Sequence, residues 1–292
     1  MALNQEVFKT RSITAIVFVV IMLGGLLINQ WTFLILFSII HFGCWYELQQ
    51  IFKKIYTPYS QVSVIHQFGI PLLGWSFMLW CAGGLYAIGS IQVSACGLWL
   101  IMILVPAIPI AEFLLNKNFN LVPLAYSLGG LVYISLSLGL MIDLRRTLLS
   151  YPQVLVSIDF GWLVPVLLIA SLWINDTMAY ITGSFFGKTP LSSISPKKTW
   201  EGTIGGAILA IITVSLLAVN LFHVEAFAAA GIATIAAVMG TLGDLLESKL
   251  KRMANIKDSG TIMPGHGGFL DRFDSLLVAT VFVWLFVKLL AA

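Results

Sequence analysis

A short polar segment, residues 251–275, gathers basic residues, aspartates, glycines and one histidine within an otherwise apolar chain. Carboxylates bind hard divalent cations such as Mg²⁺, which proteins usually hold together with the phosphates of a substrate. Lysine and arginine bind phosphate groups, and glycines allow the backbone to approach a ligand closely. These residue types together indicate phosphate-transfer chemistry assisted by a metal ion.

The stretch that leads into this segment is predicted to be a helix with one polar face. With a period of 3.6 residues, that face carries Asp244, Glu247, Ser248, Lys251 and Asn255. Asp244 lies too deep in the apolar run to be a casual surface residue, and ionisable groups at membrane depth are usually functional. The competing interpretation is an ordinary solvated face at a helix end.

Beyond the glycines, the last apolar helix begins with two aspartates on one face, Asp271 and Asp274, with Arg272 between them. Aspartates complement the positive end of a helix, which explains one of them more easily than both. His266, in the glycine turn, could be a general acid or base, a ligand or a donor that orients the loop. No second His or Cys lies close to it in sequence, so a zinc site is not expected.

A second polar loop precedes the next apolar stretch and contains two adjacent lysines. Ser195 and Pro196 fit the N-cap and first position of a helix, which places Lys197 and Lys198 in its first turn. Cations oppose the helix dipole there, so the lysines indicate a bound anion. The alternative is that they only anchor the loop on the cytosolic side of the membrane.

Three further residues upstream are candidates for the same site. The sequence GSFFGKT, residues 183–189, has one residue too few between its glycines for a phosphate-binding loop, yet Lys188 could still contact phosphate. Asn175 and Asp176 lie within a predicted membrane span. Such a polar pair either holds helices together or has a function, and a carboxylate favours the second.

The elements that position these residues are predicted to be membrane helices. Hydrophobic residues make up 59% of the chain and charged residues 10%, and the mean hydropathy is +0.96. A soluble domain carries about 25% charged residues, so the chain is predicted to be an all-α polytopic membrane protein. About nine apolar runs are long enough to cross a bilayer: residues 12–28, 31–46, 68–88, 93–115, 121–142, 162–183, 203–222, 226–243 and 275–290.

The distribution of lysine and arginine predicts the orientation, because these residues favour the cytoplasmic side of short loops. With the N-terminus inside and the C-terminus outside, the loops near residues 29, 90 and 224 lie outside and carry neither residue. Only Arg145 and Arg146 disagree. The inside segments contain Lys9, Arg11, Lys53, Lys54, Lys117, Lys188, Lys197, Lys198, Lys249, Lys251, Arg252 and Lys257.

The same distribution predicts two regions. Residues 1–160 form a transmembrane scaffold of about five helices, and residues 161–292 form the catalytic region. The cytosolic loops 184–202 and 244–272 carry the polar motifs, so the active site is expected on the cytosolic side.

The polar motifs resemble the signature of the bacterial phosphatidate cytidylyltransferases, also called CDP-diacylglycerol synthases. Residues 248–274 read S-x-L-K-R-x4-K-D-x-G-x2-M-P-x-H-G-G-F-x-D-R-F-D, which matches that signature throughout. SPKKTWEG, residues 195–202, is similar to the family's upstream motif. The resemblance is specific from about residue 170 to 275 and rests on hydrophobicity before that.

This resemblance implies conversion of CTP and phosphatidate into CDP-diacylglycerol and pyrophosphate with Mg²⁺, and it admits K⁺ as a second ion. It implies that Asp244 and Asp271 bind the metal and act with Lys257 and Arg272 in catalysis. It also implies a homodimer in the bacterial inner membrane, with membrane lipid and no nucleic acid as partners. The implied substrate-binding residues are Lys188, Ser195, Lys197, Lys198, Asn175, Asp176, Ser248, Lys251, Arg252, His266, Gly267, Gly268 and Asp274.

Two other functions remain open at this point. A CTP-dependent kinase of related architecture would move the γ-phosphate to a polyprenol or another lipid. A secondary transporter would show inverted repeats and helices broken at the midplane of the membrane, and the sequence has no convincing internal repeat.

Overall fold

The computed structural model describes residues 5–116, 120–147, 161–261 and 267–290, and these residues are almost entirely helical. Within these described ranges, eight helices are long and apolar enough to cross a membrane, and the apolar part of the first helix, Ile13–Leu27, adds a shorter one. The predicted class, an all-α polytopic membrane protein with about nine helices, is confirmed. The N-in, C-out orientation stays a prediction.

The helices follow the predicted apolar runs, with ends displaced by a few residues. A short antiparallel hairpin pairs Ala87 with Gln92 and Ile88 with Ile91. A π-helical segment, Leu131–Leu136, joins the helices Val122–Gly130 and Ser137–Leu144, and 3₁₀ turns cover Thr57–Gln61 and Gly83–Leu85. The regular elements are α1 Gln5–Leu27, α2 Gln30–Ile55, α3 Val64–Cys81, β1 Ala87–Ile88, β2 Ile91–Gln92, α4 Val93–Leu115, α5 Val122–Gly130, α6 Ser137–Leu144, α7 Leu163–Phe186, α8 Trp200–Phe222, α9 Ala226–Met253 and α10 Leu270–Leu290.

The start of α8 corrects one prediction. Thr199, rather than Ser195, is the N-cap, and its side chain accepts a hydrogen bond from the Gly202 N–H at 3.2 Å. The preceding residues form a turn in which the Lys198 N–H donates to the Ser195 carbonyl at 3.1 Å. Lys197 and Lys198 therefore belong to a loop before the helix and do not oppose its dipole from the first turn.

The chain packs as two compact units. Unit 1 consists of residues 1–143 and 250–272, and unit 2 consists of residues 144–249 and 273–292. Packing thus assigns the polar stretch 250–272 to the same unit as the first helices. The predicted division at residue 160 lies outside the described residues and stays a prediction.

Buried polar contacts hold the helices of unit 1 together. The Trp45 indole N–H donates to Ser135 Oγ at 2.9 Å, and His41 Nε2 lies 3.0 Å from the same hydroxyl. A second group joins Tyr59 and His66 to Ser127, with each contact at 2.8 Å. Because both serines belong to the helix α5–α6, this helix is fixed in register against its neighbours.

Small residues allow the helices of unit 2 to approach closely. A Cβ atom on Gly206 of α8 would lie 2.7 Å from the backbone nitrogen of Ala179 in α7. The Thr182 hydroxyl donates to the Gly202 carbonyl at 3.0 Å between the same two helices. Small residues at such contacts are the usual means of packing membrane helices, and here they bring the ends of α7 and α8 together beside the polar loop.

Candidate active site

Unit 2 contains a cavity of about 560 Å³ formed by α7, the loop before α8, the start of α8 and the middle of α9, and most of its lining residues carry polar side chains. Six of the predicted site residues line it. Lys188 is not among the lining residues. The lining consists of Asn175, Asp176, Ala179, Tyr180, Gly183, Ser184, Ser195, Lys197, Lys198, Thr199, Thr203, Thr241 and Asp244.

The loop that carries the lysines is held at both ends. The Leu191 N–H donates to the Lys198 carbonyl at 2.8 Å, and the Trp200 N–H donates to the Thr189 carbonyl at 3.0 Å. The Glu201 carboxylate accepts hydrogen bonds from the N–H groups of Lys188 and Thr189, each at 3.1 Å from Oε2. These contacts fix the loop, so Lys198 is directed into the cavity by backbone structure.

Lys198 is surrounded by carboxylates. Its ammonium group forms an ion pair with Asp244. Burial lowers the pKa of the Lys198 amine below its ordinary value, and the negative charges of Asp176 and Asp274 oppose that shift. Lys197, its neighbour, is exposed. The two lysines therefore differ in environment, and Lys198 is the one that belongs to the interior of the site.

Three carboxylates in unit 2 lie close enough to share one cation. One oxygen from each of Asp244, Glu247 and Asp274 lies within 4.8 Å of the other two. Glu247 is fully buried and Asp274 is 8% exposed. Like charges at this separation repel unless a cation neutralises them. An all-oxygen set of this kind fits a hard divalent cation such as Mg²⁺.

Close backbone packing produces this cluster. A Cβ atom on Gly243 of α9 would lie 3.0 Å from the Ser275 Cα of α10. The glycine therefore lets α10 approach α9 at the level of Asp244 and Asp274. Asn175 adds a further polar atom to the cavity, because its buried Oδ1 has no hydrogen-bond partner in the described part of the chain. This oxygen is an acceptor that a bound substrate can use.

Asp271, the other predicted metal ligand, belongs to unit 1 and accepts hydrogen bonds from other residues of the polar stretch 250–272. Its Oδ1 accepts a hydrogen bond from Lys251 Nζ at 2.6 Å. Its Oδ2 accepts from the N–H and hydroxyl of Ser259 and from the Gly268 N–H, each at 2.9 Å. Gly267 adopts a φ of +82°, a conformation that favours glycine. Metal binding by Asp244 with Asp271 stays a prediction.

Five predicted site residues remain: Ser248, Arg252, Lys257, His266 and Arg272. Ser248 lies one turn after Asp244, and its hydroxyl donates to Asp244 Oδ1 at 3.3 Å. The side chains of Arg252, Lys257 and Arg272 are exposed. His266 lies outside the described residues. The roles predicted for these residues stay predictions.

Two buried glutamates were not among the predicted site residues. Glu247 lies three residues after Asp244 on the same polar face, so helical periodicity could have identified it as a member of the carboxylate cluster. Glu47 lies in α2 and accepts hydrogen bonds from Ser259, Phe269 and Leu270. A carboxylate directly after the predicted apolar run 31–46 was the signal in the sequence there.

A model of the Cytidylyltransferase family matches residues 9–290. The phosphatidate cytidylyltransferase of Staphylococcus saprophyticus is 30% identical over 278 residues, which cover 92% of this chain and 95% of that protein. The phosphatidate cytidylyltransferase of Thermotoga maritima is 36% identical over 175 residues, 57% of this chain and 59% of that protein. Phosphatidate cytidylyltransferase 4, chloroplastic, of Arabidopsis thaliana is 44% identical over 115 residues, 39% of this chain and 29% of that protein. These matches confirm the resemblance seen in the motifs, and the chain belongs to the cytidylyltransferase family.

Proposed function

We propose that this membrane protein transfers the CMP group of CTP to phosphatidate, which yields CDP-diacylglycerol and pyrophosphate. A phosphate oxygen of phosphatidate forms a bond to the α-phosphorus of CTP. The bond from that phosphorus to the oxygen bridging the β-phosphate breaks, and pyrophosphate leaves with the bonding electrons. The names of the similar proteins and the family match across residues 9–290 support this reaction.

The observation that carries the proposal is the convergence of a half-buried lysine and several carboxylates on one cavity. A triphosphate is a polyanion, and Lys198 and Lys197 supply positive charge at the cavity wall. Asp244 stands beside them and belongs to the carboxylate cluster. In phosphate transfer, the protein mainly positions the two partners and neutralises charge, and these are the functions that such side chains perform.

The proposed cofactor is Mg²⁺, held by Asp244 with Glu247 and Asp274, or by Asp244 with Asp271 as the resemblance implies. Bound there, a divalent cation neutralises phosphate charge and orients the reacting groups. K⁺ as a second, monovalent ion is part of the same proposal. Thr203, Thr241 and Asn175 contribute neutral hydrogen-bonding groups to the cavity wall.

We place the protein in the inner membrane of a bacterium, with its active site facing the cytoplasm, where CTP is made. The lysine-rich loops support this orientation. A homodimer also belongs to the proposal and is supported by the family resemblance. Light scattering of the detergent-solubilised protein tests it, and a mass of one chain after subtraction of the detergent contradicts it.

Product analysis with position-labelled CTP tests the reaction. Purified protein is incubated with phosphatidate, Mg²⁺ and CTP labelled at either the α- or the γ-phosphate, and the lipid is then extracted. The proposal predicts α-label in CDP-diacylglycerol and γ-label in water-soluble pyrophosphate. The alternative, a CTP-dependent lipid kinase acting on a polyprenol or another lipid, would move γ-label into the lipid instead and release CDP.

A further inference from the structure

Glu47 is a carboxylate in an unusual place. It lies in α2, Gln30–Ile55, among apolar core residues, and it is only 1% exposed. Burial of a carboxylate is costly unless strong hydrogen bonds compensate for the lost water. None of the roles derived above uses this residue, so its contacts need an explanation of their own.

Its hydrogen bonds within the described residues all reach one segment that is distant in sequence, of which residues 259–261 and 267–270 are described. Glu47 Oε1 accepts from the Phe269 N–H at 2.9 Å, and Oε2 accepts from the Leu270 N–H at 2.8 Å. Oε2 also accepts from the Ser259 hydroxyl at 2.6 Å. Because α10 begins at Leu270, Glu47 satisfies N–H groups at the start of that helix, as an N-cap residue does from within its own chain segment.

The position of the Glu47 carboxylate explains why two residues of the segment, Gly260 and Gly268, are glycines. A Cβ atom on Gly260 or on Gly268 would overlap the Glu47 side chain. One turn earlier on α2, the ring of Phe269 packs against Gly43 and would overlap a Cβ atom there. The face of α2 that carries Gly43 and Glu47 therefore receives Gly260 and residues 268–270 through one aromatic ring and one carboxylate.

Ser259 connects Glu47 to Asp271. The single proton of its hydroxyl is shared between two acceptors, because the oxygen lies 2.6 Å from Glu47 Oε2 and 2.9 Å from Asp271 Oδ2. Asp271 also accepts from the Gly268 N–H, and Gly268 lies against Glu47. The two carboxylates thus bind the same segment from two sides, and each depends on the other's contacts for its position.

We propose that Glu47 is a positioning residue, which holds residues 259–260 and 268–270 and thereby the carboxylate of Asp271 in the conformation that the reaction requires. This inference rests on the proposed function, because it assigns that segment, with Asp271 and the adjacent Arg272, to catalysis. The first helices of the protein then do more than anchor it in the membrane, since α2 supplies part of the support of the active site.

The test compares the same substitution at two buried glutamates. Glu47→Gln keeps the shape but turns an NH₂ group toward N–H or O–H donors. Glu112→Gln is the matched control, because Glu112 is also buried in unit 1, at 4% exposure, yet its side chain binds Ser63 and Asn116. Hydrogen–deuterium exchange of peptides covering residues 257–272 reports directly on the N–H groups of Phe269 and Leu270.

We expect faster exchange in that segment for Glu47→Gln and wild-type exchange for Glu112→Gln. The kcat of Glu47→Gln should fall roughly 10- to 100-fold, as for other residues that orient metal-site groups. Its KM for CTP should change by less than about threefold, because the residue does not belong to the CTP cavity. Ser259→Ala removes only the hydroxyl that connects Glu47 to Asp271. It should speed exchange and lower kcat in the same way but less strongly, and it replaces Glu47→Gln in the test if that variant does not fold.

Unchanged exchange in both variants would overturn the contact with the segment, and faster exchange with unchanged kcat would overturn the positioning role. A wild-type protein that makes no CDP-diacylglycerol would instead contradict the proposed function. The exchange comparison would still decide whether Glu47 holds the segment.

Discussion

Lys198 forms an ion pair with Asp244 inside the cavity of unit 2. The pair joins the loop before α8 to the carboxylate cluster of α9 and α10. A phosphate group that enters the cavity competes with Asp244 for the amine, and a divalent cation competes with the amine for Asp244. If the cavity holds CTP and a metal ion as proposed, we expect their binding to be coupled through this one contact.

Removal of the Lys198 amine should weaken nucleotide binding. We expect Lys198→Ala to raise the KM for CTP by about tenfold or more, as loss of a charged hydrogen bond does. Lys197→Ala should have a smaller effect because that side chain is exposed. Steady-state kinetics at saturating phosphatidate measure both values.

The control for this series is Lys249→Ala, since Lys249 is exposed on α9 and does not line the cavity. Its KM for CTP should equal the wild-type value. Equal KM values for Lys198→Ala and the control would mean that the lysines only anchor the loop at the membrane surface.

Neutralisation of one member of the carboxylate cluster should weaken metal binding. Glu247→Gln should raise the Mg²⁺ concentration that gives half-maximal activity by roughly tenfold, since an amide oxygen is a weaker ligand without charge. Titration of Mg²⁺ into protein treated with EDTA gives this value, and the activity lost to EDTA should return in full. Glu225→Gln, at an exposed site outside the cluster, is the control.

Substitution of Asp271 distinguishes the two proposed sets of metal ligands. If Asp271 binds the metal with Asp244, Asp271→Asn should shift the Mg²⁺ requirement as far as Asp244→Asn does, and the double variant should be little worse than either. If Asp244, Glu247 and Asp274 are the ligands, Asp271→Asn should lower kcat, leave the Mg²⁺ requirement unchanged and speed hydrogen exchange at residues 259–268. The same titration separates these results.

Close packing of α7 and α8 should be sensitive to one added methyl group. Gly206→Ala places a Cβ atom 2.7 Å from the Ala179 backbone nitrogen and should cost about 1–3 kcal/mol, as overpacking does. Gly129→Ala makes the same change in a helix where no atom lies within 4 Å, and it should stabilise by about 1 kcal/mol or less. Thermal unfolding in detergent measures both. Equal Tm values for the two variants would contradict the packing described for α7 and α8.

Orientation in the membrane can be tested by thiol labelling in a background from which Cys44, Cys81 and Cys96 have been removed. A cysteine at Ser193 should react only when the reagent reaches the cytosol, and a cysteine at Ala226 should react from outside. Both positions are exposed. Labelling of Ser193→Cys in intact cells by an impermeant reagent would contradict the predicted orientation.

The membrane helices could be predicted from the sequence because hydropathy is a local property. Each apolar run contains its own signal, and α9 could be extended past its apolar part because Asp244, Ser248 and Lys251 recur with helical spacing. The grouping of Asn175, Asp176, Lys198 and Asp244 at one cavity was also anticipated, because these are polar residues that an apolar chain has little other reason to contain.

Features that depend on tertiary contacts could not be predicted in this way. Ser195 and Pro196 match a helix start, but backbone pairing of the loop with Thr189 and Leu191 delays α8 to Trp200. Glu47 contacts Ser259 across 212 positions of sequence, and no local pattern specifies that partner. The carboxylate cluster shows both cases, because periodicity relates Glu247 to Asp244 whereas Asp274 reaches them only through the approach of α10 at Gly243.

We propose that the cavity of unit 2 is where CMP transfer takes place. The most direct measurement compares wild-type protein with Asp244→Asn for transfer of label from α-labelled CTP into extracted lipid, with hydrogen exchange confirming that both are folded. We predict labelled CDP-diacylglycerol from the wild type and a loss of at least about 100-fold in the variant, as for a group that acts directly on the transferring phosphate. Equal rates in the two proteins, or no labelled lipid from the wild type, would contradict the claim.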